Sequence, residues 1–413
     1  MNAAPVQIPI PPRQSSILIA SSASSSSSSI FFPDGDVEVV TEQGLRHADV
    51  SLEARHYKQA SFASSLLYCL RSLKVPTWTK ADIKPQDIRI HKVSGSMTNA
   101  PRTVLLRVYG PSSGNLISRP RELHTLHILS SQYHIGPRVY GTFENGRIEE
   151  YFESTTLTAS DIRQPKISRW IGARMAELHS VDIDAVESSS DWEISAKKNV
   201  QAWLPPARQV LALPNVPGTL RRDFDLDGFK KDWDKYMQWL ATVDDPDRGS
   251  RRVYAHNDAQ YGNLLLLSKR NDKVPEHRQL IVVDFEYGAP APAAFDIANH
   301  FHEWTANYHG ERPHILDPTR YPTTQERYNF YRAYLQHSTC SPLSATELER
   351  LLPDLDDQVR AWSPASHAMW AIWGVVQARD DLENAVQEPE FDYIGYALCR
   401  LEGFRRELHE LGL

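Results

Sequence analysis

Hydrophobic and polar positions follow two different periods in the first 150 residues of the chain. Apolar residues recur at helical spacing from Ser65 to Leu73 and from Arg121 to Leu129, and this spacing predicts two amphipathic helices. Between them, two runs rich in β-branched residues, Ile88 to Val93 and Thr103 to Tyr109, flank a turn-rich stretch. That pattern predicts a β-hairpin.

The pattern changes after the strand-like runs that follow the second helix. The order strand, strand, helix, strands predicts a small mixed lobe. From Ile167 onwards the periodicity is mainly helical, with one short β region between Tyr254 and Glu286. The chain is therefore expected to be an α+β protein. Three divisions are expected: a disordered tail at residues 1–33, a small N-terminal lobe at residues 34–153 and a large C-terminal lobe at residues 154–413.

Composition and charge exclude several classes of protein. The 413 residues carry a formal net charge of −7 and no basic arm, which argues against nucleic-acid binding. The cysteines, Cys69, Cys340 and Cys399, fit neither a disulfide framework nor a zinc spacing. No run is apolar over the roughly 18 residues of a membrane span, so a cytoplasmic protein without stable membrane insertion is expected. The Ser- and Pro-rich residues 1–33 are typical of disorder.

The densest polar chemistry lies in the segment His256 to Asn263, which precedes four leucines. Asp258 and Asn263 have the spacing of a kinase catalytic loop, in which the aspartate accepts a hydrogen bond from the attacking hydroxyl and the asparagine binds a metal ion. Asp284 follows a second apolar run, and a carboxylate there suits Mg²⁺ that bridges nucleotide phosphates. Catalytic roles are therefore predicted for all three, with Asn263 and Asp284 as metal ligands. The alternative is that both aspartates only cap strand ends.

The small lobe supplies candidate ATP ligands. Arg107 lies in an apolar strand, where burial would require an anionic partner such as a phosphate. Glu122 opens the next helix and is a candidate to orient Arg107, as a helix glutamate orients the strand lysine of protein kinases. Because strand faces alternate, an outward-pointing Arg107 is the alternative. The turn between the two predicted strands offers N–H groups and hydroxyls to phosphates, through Ser94, Gly95, Ser96 and Asn99.

Three segments resemble the signature of the choline and ethanolamine kinase family: His256 to Asn263, Asp284 to Tyr287 and, most specifically, Phe295 to Trp304. The resemblance covers residues 88–405 and is greatest to the fungal-type choline kinases. It implies a two-lobed protein-kinase-like fold, with a small mixed β-sheet in the N-lobe and a mainly helical C-lobe. One departure is the proline-rich stretch Ala289 to Ala294.

The resemblance also implies a reaction. It points to phosphorylation of choline to phosphocholine, the first step of the CDP-choline route to phosphatidylcholine, with ATP as co-substrate and Mg²⁺ as cofactor. Asp258 would be the base. The residues that the resemblance assigns to the amino-alcohol pocket are Gln260, Glu303, Tyr308, Trp370, Trp373, Phe391 and Tyr396. Homodimers are common in the family, which makes a homodimer the assembly it suggests.

Several alternatives stay open at this stage. Ethanolamine kinases share nearly all the motifs, since both reactions phosphorylate a primary hydroxyl next to a cationic nitrogen. Aminoglycoside- or protein-kinase-like enzymes share the layout of Asp258, Asn263 and Asp284, although the segment Phe295 to Trp304 argues against them. A catalytically inactive binding protein is the third alternative. Choline is favoured because a quaternary ammonium group has no N–H to donate and suits aromatic faces. Candidate rings are Trp304, Trp370 and Trp373.

Overall fold

The computed structural model describes eight segments of the chain and divides them into two compact units. Unit 1 holds the described residues before 110 and residues 137–153, and unit 2 holds residues 118–136 and those from 154 onwards. For residues 15–21 the backbone alone is described. The segments are 15–21, 39–80, 82–92, 103–109, 118–187, 191–244, 249–339 and 341–413.

Unit 1 is a six-stranded sheet with one long helix, in the strand order β2-β5-β6-β4-β1-β3. The helix is α1 (Ala60–Ser72). The strands are β1 (Ser15–Ser21), β2 (His47–Ala48), β3 (Ile88–Lys92), β4 (Val104–Val108), β5 (Val139–Phe143) and β6 (Gly146–Glu150).

The core of unit 1 lies between α1 and the sheet. Leu66 and Leu70 on α1 pack in one cluster with Leu106 on β4 and Ile148 on β6. Because side chains alternate along β4, Val104, Leu106 and Val108 are buried while the residues between them are partly exposed. The predicted helix and strands are confirmed, and Arg107 lies on the face of β4 opposite its buried residues.

Strand β1 corrects one prediction. Ser15–Ser21 pairs in parallel with β3 and with β4, so those two strands are not neighbours and the predicted hairpin is wrong. The strand lies within residues 1–33, for which a disordered tail is predicted. The physical reason for the strand is the run Ile17-Leu18-Ile19-Ala20, whose apolar, β-branched character favours a strand despite the surrounding serines.

Unit 2 is mainly helical. Its strands are β7 (Ser154–Thr156), β8 (Arg252–Ala255), β9 (Leu264–Leu267), β10 (Leu280–Val282) and β11 (Ala289–Pro292). Its helices are α2 (Arg119–Gln132), α3 (Pro165–Leu178), α4 (Ile183–Val186), α5 (Ser195–Leu211), α6 (Gly218–Phe224), α7 (Leu226–Val243), α8 (Ala293–Glu303), α9 (Thr324–Ser338), α10 (Ala345–Gln377), α11 (Arg379–Glu383) and α12 (Tyr393–Glu410).

Helix α2 groups with unit 2, whereas the sequence analysis placed it in the N-terminal lobe. Its contacts explain this grouping. Arg121 forms an ion pair with Glu187, and the hydroxyl of Tyr254 donates to Thr125 Oγ1 at 3.3 Å. Among the described helices of the chain, none is both long and apolar enough to cross a membrane.

Two small antiparallel sheets, one of two strands and one of three, position the polar segments of unit 2. Strand β8 pairs with β11, and β9 pairs with β10 and β7. The segment His256 to Asn263 therefore connects β8 to β9, which belong to different sheets. Its position directly before the strand of four leucines is as predicted. Helix α8 follows β11 directly, and all its residues are buried. Because buried polar groups need partners, the five polar side chains of α8 have to form a bonded network.

Candidate active site

The loop from His256 to Asn263 is held by the carboxylate of Asp296 on α8. The backbone N–H groups of His256 and Asn257 donate to Asp296 Oδ2 at 3.0 Å and to Oδ1 at 2.8 Å. His179 Nε2 lies 3.0 Å from Oδ2. Burial alone would raise the pKa of Asp296, but the interaction with His179 holds it below its usual range. A buried, charged acceptor therefore fixes the backbone just before Asp258.

Asn257 adopts a left-handed backbone conformation with φ of 61°. Asparagine tolerates this region better than most residues, and here its side-chain amide also donates to the carbonyl oxygen of Tyr287 at 2.9 Å. The Asn299 amide in turn donates to the Asn257 carbonyl oxygen at 3.0 Å. The turn that presents Asp258 is thus bonded on both sides.

His256 links the loop to the segment that carries Asp284. The backbone N–H of Asp258 donates to His256 Nδ1 at 3.2 Å, which leaves the ring proton on Nε2 to be donated to the Val283 carbonyl oxygen at 3.0 Å. The backbone N–H of Val283 donates to the Asn263 carbonyl oxygen at 3.0 Å. Asp284 follows with a left-handed φ of 67°. All three predicted catalytic residues are therefore parts of one bonded framework.

Asn263 contacts Asp258 directly. Its amide nitrogen donates to the backbone oxygen of Asp258 and to Asp258 Oδ2, both at 2.9 Å. Because the amide uses its N–H groups in this way, its carbonyl oxygen is the atom that suits a cation. The side chains of Asn263 and Asp284 thus provide hard oxygen donors, which fits Mg²⁺ better than the softer metals.

The site concentrates negative charge. Burial, reinforced by the nearby carboxylates of Glu303, Glu286 and Asp284, holds the pKa of Asp258 well above its usual range. Such a cluster of carboxylates attracts cations, whether a divalent metal ion or an ammonium group. The electrostatics therefore match both cations that the sequence predicted.

Glu303 belongs to a buried network at the end of α8. Its Oε1 accepts from Arg400 at 3.0 Å and its Oε2 accepts from the Tyr308 hydroxyl at 2.9 Å. Arg400 is fully buried, donates to the Tyr396 hydroxyl at 2.9 Å and lies 5.1 Å from the centre of that ring. Burial raises the pKa of Glu303 despite the opposing charge of Arg400. Both oxygens of this carboxylate are therefore engaged.

Seven rings surround this network, and we call them the aromatic cluster. Trp373 is central, because its ring lies 5.1 Å from Trp370 and 6.0 Å from Tyr396, and its N–H donates to the Tyr287 hydroxyl at 2.8 Å. Phe391 lies 5.8 Å from Tyr396. The members are Tyr287, Tyr308, Trp370, Trp373, Phe391, Tyr393 and Tyr396.

The aromatic cluster lies close to the predicted base. The charge of Asp258 contributes, after burial, to raising the pKa of both Tyr287 and Tyr396. Five of the predicted pocket residues are therefore cluster members, and Glu303 binds two partners next to them. Gln260 lies in the loop, where its carbonyl oxygen accepts from the Asn263 N–H at 3.1 Å. Its contact with substrate stays a prediction.

Trp304 is the candidate ring that has no ring contact with the aromatic cluster among the described residues. It is 1% exposed, its indole N–H donates to His300 Nε2 at 3.3 Å, and the guanidinium group of Arg163 lies 4.8 Å from its ring centre. The ring also contacts Phe301. Trp304 is therefore part of the core beside α8. Helical periodicity explains the difference, since Trp304 immediately follows Glu303 and points in a different direction.

The predicted ATP ligands do not lie in a single unit. In unit 1, Arg107 Nε donates to Glu149 Oε2 at 3.1 Å, and Arg147 pairs with the same carboxylate. Burial would raise the pKa of Glu149, but the two guanidinium groups hold it below its usual range. Glu122 lies in unit 2, and its role toward Arg107 stays a prediction. Four predicted ligands, Ser94, Gly95, Ser96 and Asn99, lie outside the described residues.

Sequence reasoning missed four side chains that build this site. Asp296 lies in a segment that was singled out, but nothing in its spacing indicated that it holds the loop. Tyr287 and Tyr393 follow predicted residues in sequence, and aromatic character near Asp284 and Phe391 was the available signal. Arg400 had no local signal, because its partner Glu303 is distant in sequence.

Comparison with known proteins places the chain in a family. The family model described as choline/ethanolamine kinase matches residues 88–405. A choline kinase of Schizosaccharomyces pombe (strain 972 / ATCC 24843) is 31% identical over 417 residues, which cover 85% of this chain and 90% of that protein. A choline/ethanolamine kinase of Homo sapiens is 30% identical over 349 residues, covering 80% of this chain and 82% of that protein.

The solved structures agree on the fold. The crystal structure of a choline kinase from Cryptosporidium parvum Iowa II matches with a TM-score of 0.63 at 21% identity, covering 84% of this chain and 95% of that one. The expected fold class, a two-lobed kinase-like fold with a small mixed sheet and a mainly helical lobe, is confirmed. The chain belongs to the choline/ethanolamine kinase family.

Proposed function

We propose that the chain transfers the γ-phosphate of ATP to choline and so forms phosphocholine and ADP. The observation that carries this proposal is the aromatic cluster beside Asp258. Rings such as Trp373 and Tyr396 can face a quaternary ammonium group, while the nearby carboxylates supply diffuse negative charge. Family membership and relatives named choline kinase support the same reaction.

In the proposed reaction, the hydroxyl oxygen of choline forms a bond to the γ-phosphorus while the bond from that phosphorus to the bridging oxygen of ADP breaks. The carboxylate of Asp258 accepts the hydroxyl proton. Asn263 holds this carboxylate through its amide hydrogen bond at 2.9 Å, and Asp296 fixes the backbone before it. Positioning of this kind is the main contribution that a kinase makes to phosphoryl transfer.

Asn263 and Asp284 would hold Mg²⁺, because both offer hard oxygen donors beside the loop. When bound, the ion would neutralise charge on the phosphates of ATP. On the nucleotide side, we propose that Arg107 contacts phosphate oxygens while Glu149 keeps its guanidinium group oriented. We propose Glu122 of unit 2 and residues Ser94, Gly95, Ser96 and Asn99 as further ATP ligands, each of which stays a prediction.

Choline is proposed over ethanolamine because of the aromatic cluster. A primary ammonium group is bound best by directed acceptors, whereas rings such as Trp373 and Tyr396 offer aromatic faces. A quaternary ammonium group needs no such acceptor. The human relative is named choline/ethanolamine kinase, so ethanolamine is the alternative acceptor. We further propose a cytoplasmic homodimer that supplies the CDP-choline route.

The test is a panel of acceptors. ADP release is measured with Mg²⁺, ATP and one of choline, ethanolamine or an aminoglycoside, and the phosphorylated product is identified by mass spectrometry. Choline-dependent ADP release with formation of phosphocholine is expected. Turnover with the aminoglycoside alone, or no stimulation by any amino alcohol in a folded protein, would contradict the proposal.

A further inference from the structure

Unit 2 contains a cavity of about 600 Å³ that the proposed reaction does not use. It is lined by residues of α8, α9, α10 and α12 and of the segment between α8 and α9. Its lining includes none of Asp258, Asn263 and Asp284. Three potential metal ligands, His302 on α8, His367 on α10 and Glu407 on α12, face one another at its wall.

The three side chains are arranged like the ligands of one ion. His302 Nε2 lies 3.7 Å and His367 Nε2 lies 3.6 Å from the same atom, Glu407 Oε1. All three donor atoms lie within 4.8 Å of one another. A tetrahedral zinc ion with ligands at about 2.0–2.1 Å places adjacent donors about 3.4 Å apart. A small adjustment of rotamers would therefore bring the three atoms into a coordination sphere.

Several of these polar atoms are buried without partners. His367 is 3% exposed, and among the described residues neither of its ring nitrogens has a hydrogen-bond partner. The same holds for Glu407 Oε2. His302 is also buried, and its Nε2 lies 2.9 Å from Ser363 Oγ. Unsatisfied buried polar groups are costly and call for an ion or an ordered water molecule.

The backbone of α12 is shaped to accept the His367 ring. A Cβ atom on Gly403 would lie 2.6 Å from His367 Cε1 and 2.7 Å from Nε2. Only a residue without a side chain allows the imidazole to lie this close to the helix. Gly403 and Glu407 are one helical turn apart, so the same face of α12 both admits the ring and presents the carboxylate.

We propose that His302, His367 and Glu407 bind a divalent transition metal ion, zinc in the cell, with the fourth position open to the cavity. Two imidazoles and one carboxylate form a donor set that suits zinc and disfavours Mg²⁺.

The cavity wall carries charged groups of both signs: the arginines Arg312, Arg327, Arg360 and Arg406, and the glutamates Glu402 and Glu410. Arg327 is paired with Asp356.

The ion would tie together the three helices that build the amino-alcohol pocket. His302 precedes Glu303 on α8, His367 lies one turn before Trp370 on α10, and α12 carries Arg400 as well as Glu407. This consequence rests on the proposed function, whereas the metal site itself does not. Zinc is therefore expected to stabilise unit 2 and to keep the pocket helices in register.

The experiment uses Co²⁺ as a spectroscopic probe in the metal-stripped, full-length protein without ATP. Wild type is expected to bind one Co²⁺ with the intense visible absorption of a near-tetrahedral site, and Zn²⁺ is expected to displace it. His367→Gln and Glu407→Gln should each lower the affinity by more than the roughly tenfold to hundredfold that loss of an outer-shell partner costs. The matched control, Glu410→Gln, removes a charge from the same cavity and should bind as wild type does.

Asp284→Asn separates this site from the proposed catalytic one, and it should keep the Co²⁺ spectrum. Loss of the spectrum in Asp284→Asn with retention in His367→Gln would overturn the proposal, as would the absence of any visible absorption in wild type. If the variants do not fold, X-ray absorption of the wild-type zinc complex decides. Scattering from two imidazoles is expected, and a spectrum without imidazole scattering would place the ion elsewhere.

Discussion

The catalytic loop and the aromatic cluster lie side by side in unit 2, but they are held in different ways. The loop is fixed by hydrogen bonds to one buried carboxylate, Asp296, and by the bonds between Asn263 and Asp258. The cluster is held by ring packing and by the buried pair of Glu303 and Arg400. Hydrogen bonds have a fixed direction and so set the position of a reacting group, whereas packed rings shape a pocket that tolerates small shifts of its side chains.

This difference predicts which kinetic constant changes when a residue of either region is substituted. Damage to the loop should reduce the rate of the chemical step, since it displaces groups that act in the transition state. Damage to the cluster should mainly weaken binding of the amino alcohol and leave turnover at saturation closer to normal. Three substitutions test this separation, and a fourth, in unit 1, tests the proposed nucleotide ligand Arg107.

The largest effect is expected from Asp258→Asn. An amide cannot accept the hydroxyl proton, so kcat should fall by about 10²- to 10⁴-fold, the usual contribution of a general base. The KM for ATP should change little. Steady-state ADP release measures both, and Asp272→Asn, which alters an exposed aspartate of the same unit, is the matched control. A variant with half the normal kcat would show that Asp258 is not the base.

Asp296→Asn should reveal how the loop is held. In the variant, the side-chain amide places an N–H group against a backbone N–H that donates to the carboxylate in wild type. Removing one partner of a buried charged network costs roughly 3–5 kcal/mol of stability. Because the pKa of Asp296 is lowered in the folded protein, its stabilisation is full above the usual aspartate pKa, about 4. It is lost as the pH falls through the lower, folded value.

Thermal unfolding of wild type and Asp296→Asn at a series of pH values measures this contribution. The gap between the two melting temperatures should be constant above about pH 5 and should narrow below about pH 4. A gap that widens as the pH falls would mean that the carboxylate is not stabilised in the folded state. Equal melting temperatures at neutral pH would remove Asp296 from its proposed role.

Arg107→Ala is expected to have an intermediate effect, confined to the nucleotide. Charge-assisted hydrogen bonds contribute about 1.5–3 kcal/mol, so the KM for ATP should rise about 10- to 100-fold with little change in the KM for choline. Arg89→Ala removes an exposed arginine of the same sheet and serves as the control. An unchanged KM for ATP in a folded variant would leave Arg107 as a partner of Glu149 only.

The smallest effect is expected from Trp373→Phe. The phenyl ring keeps part of the packing but has a weaker attraction for cations and cannot donate to Tyr287, so the KM for choline should rise about fivefold, which corresponds to about 1 kcal/mol. Trp233→Phe changes a buried tryptophan outside the cluster and should leave this KM unchanged. Equal effects of the two substitutions would indicate loss of general stability instead.

The sequence was most informative where the chemistry is local. Asp258, Asn263 and Asp284 were predicted as catalytic residues because kinase chemistry needs those residue types at short, regular spacing next to strands. Loop and strand positions followed from the same pattern. By contrast, Arg400 and Asp296 act through partners far away in sequence, and His302, His367 and Glu407 come from three separate helices with no spacing motif.

Two other features could not have been predicted from local pattern. The strand Ser15–Ser21 pairs with residues far along the chain. In the sequence, the Ser- and Pro-rich composition around its short apolar run favoured a prediction of disorder over that of a strand. Helix α2 shows the expected amphipathic spacing, but spacing does not indicate which unit it packs against. Tertiary contacts determine both the pairing of this strand and the unit of α2, and the sequence of one segment does not reveal such contacts.

We propose that the pocket beside Asp258 is built for a quaternary ammonium group, and the direct test is the ratio of kcat/KM for choline to that for ethanolamine in the wild-type enzyme. An aromatic face contributes about 2 kcal/mol to a desolvated cation, so a preference of roughly thirtyfold for choline is predicted. A ratio of one, or a preference for ethanolamine, would show that the pocket is not selective for a quaternary ammonium group.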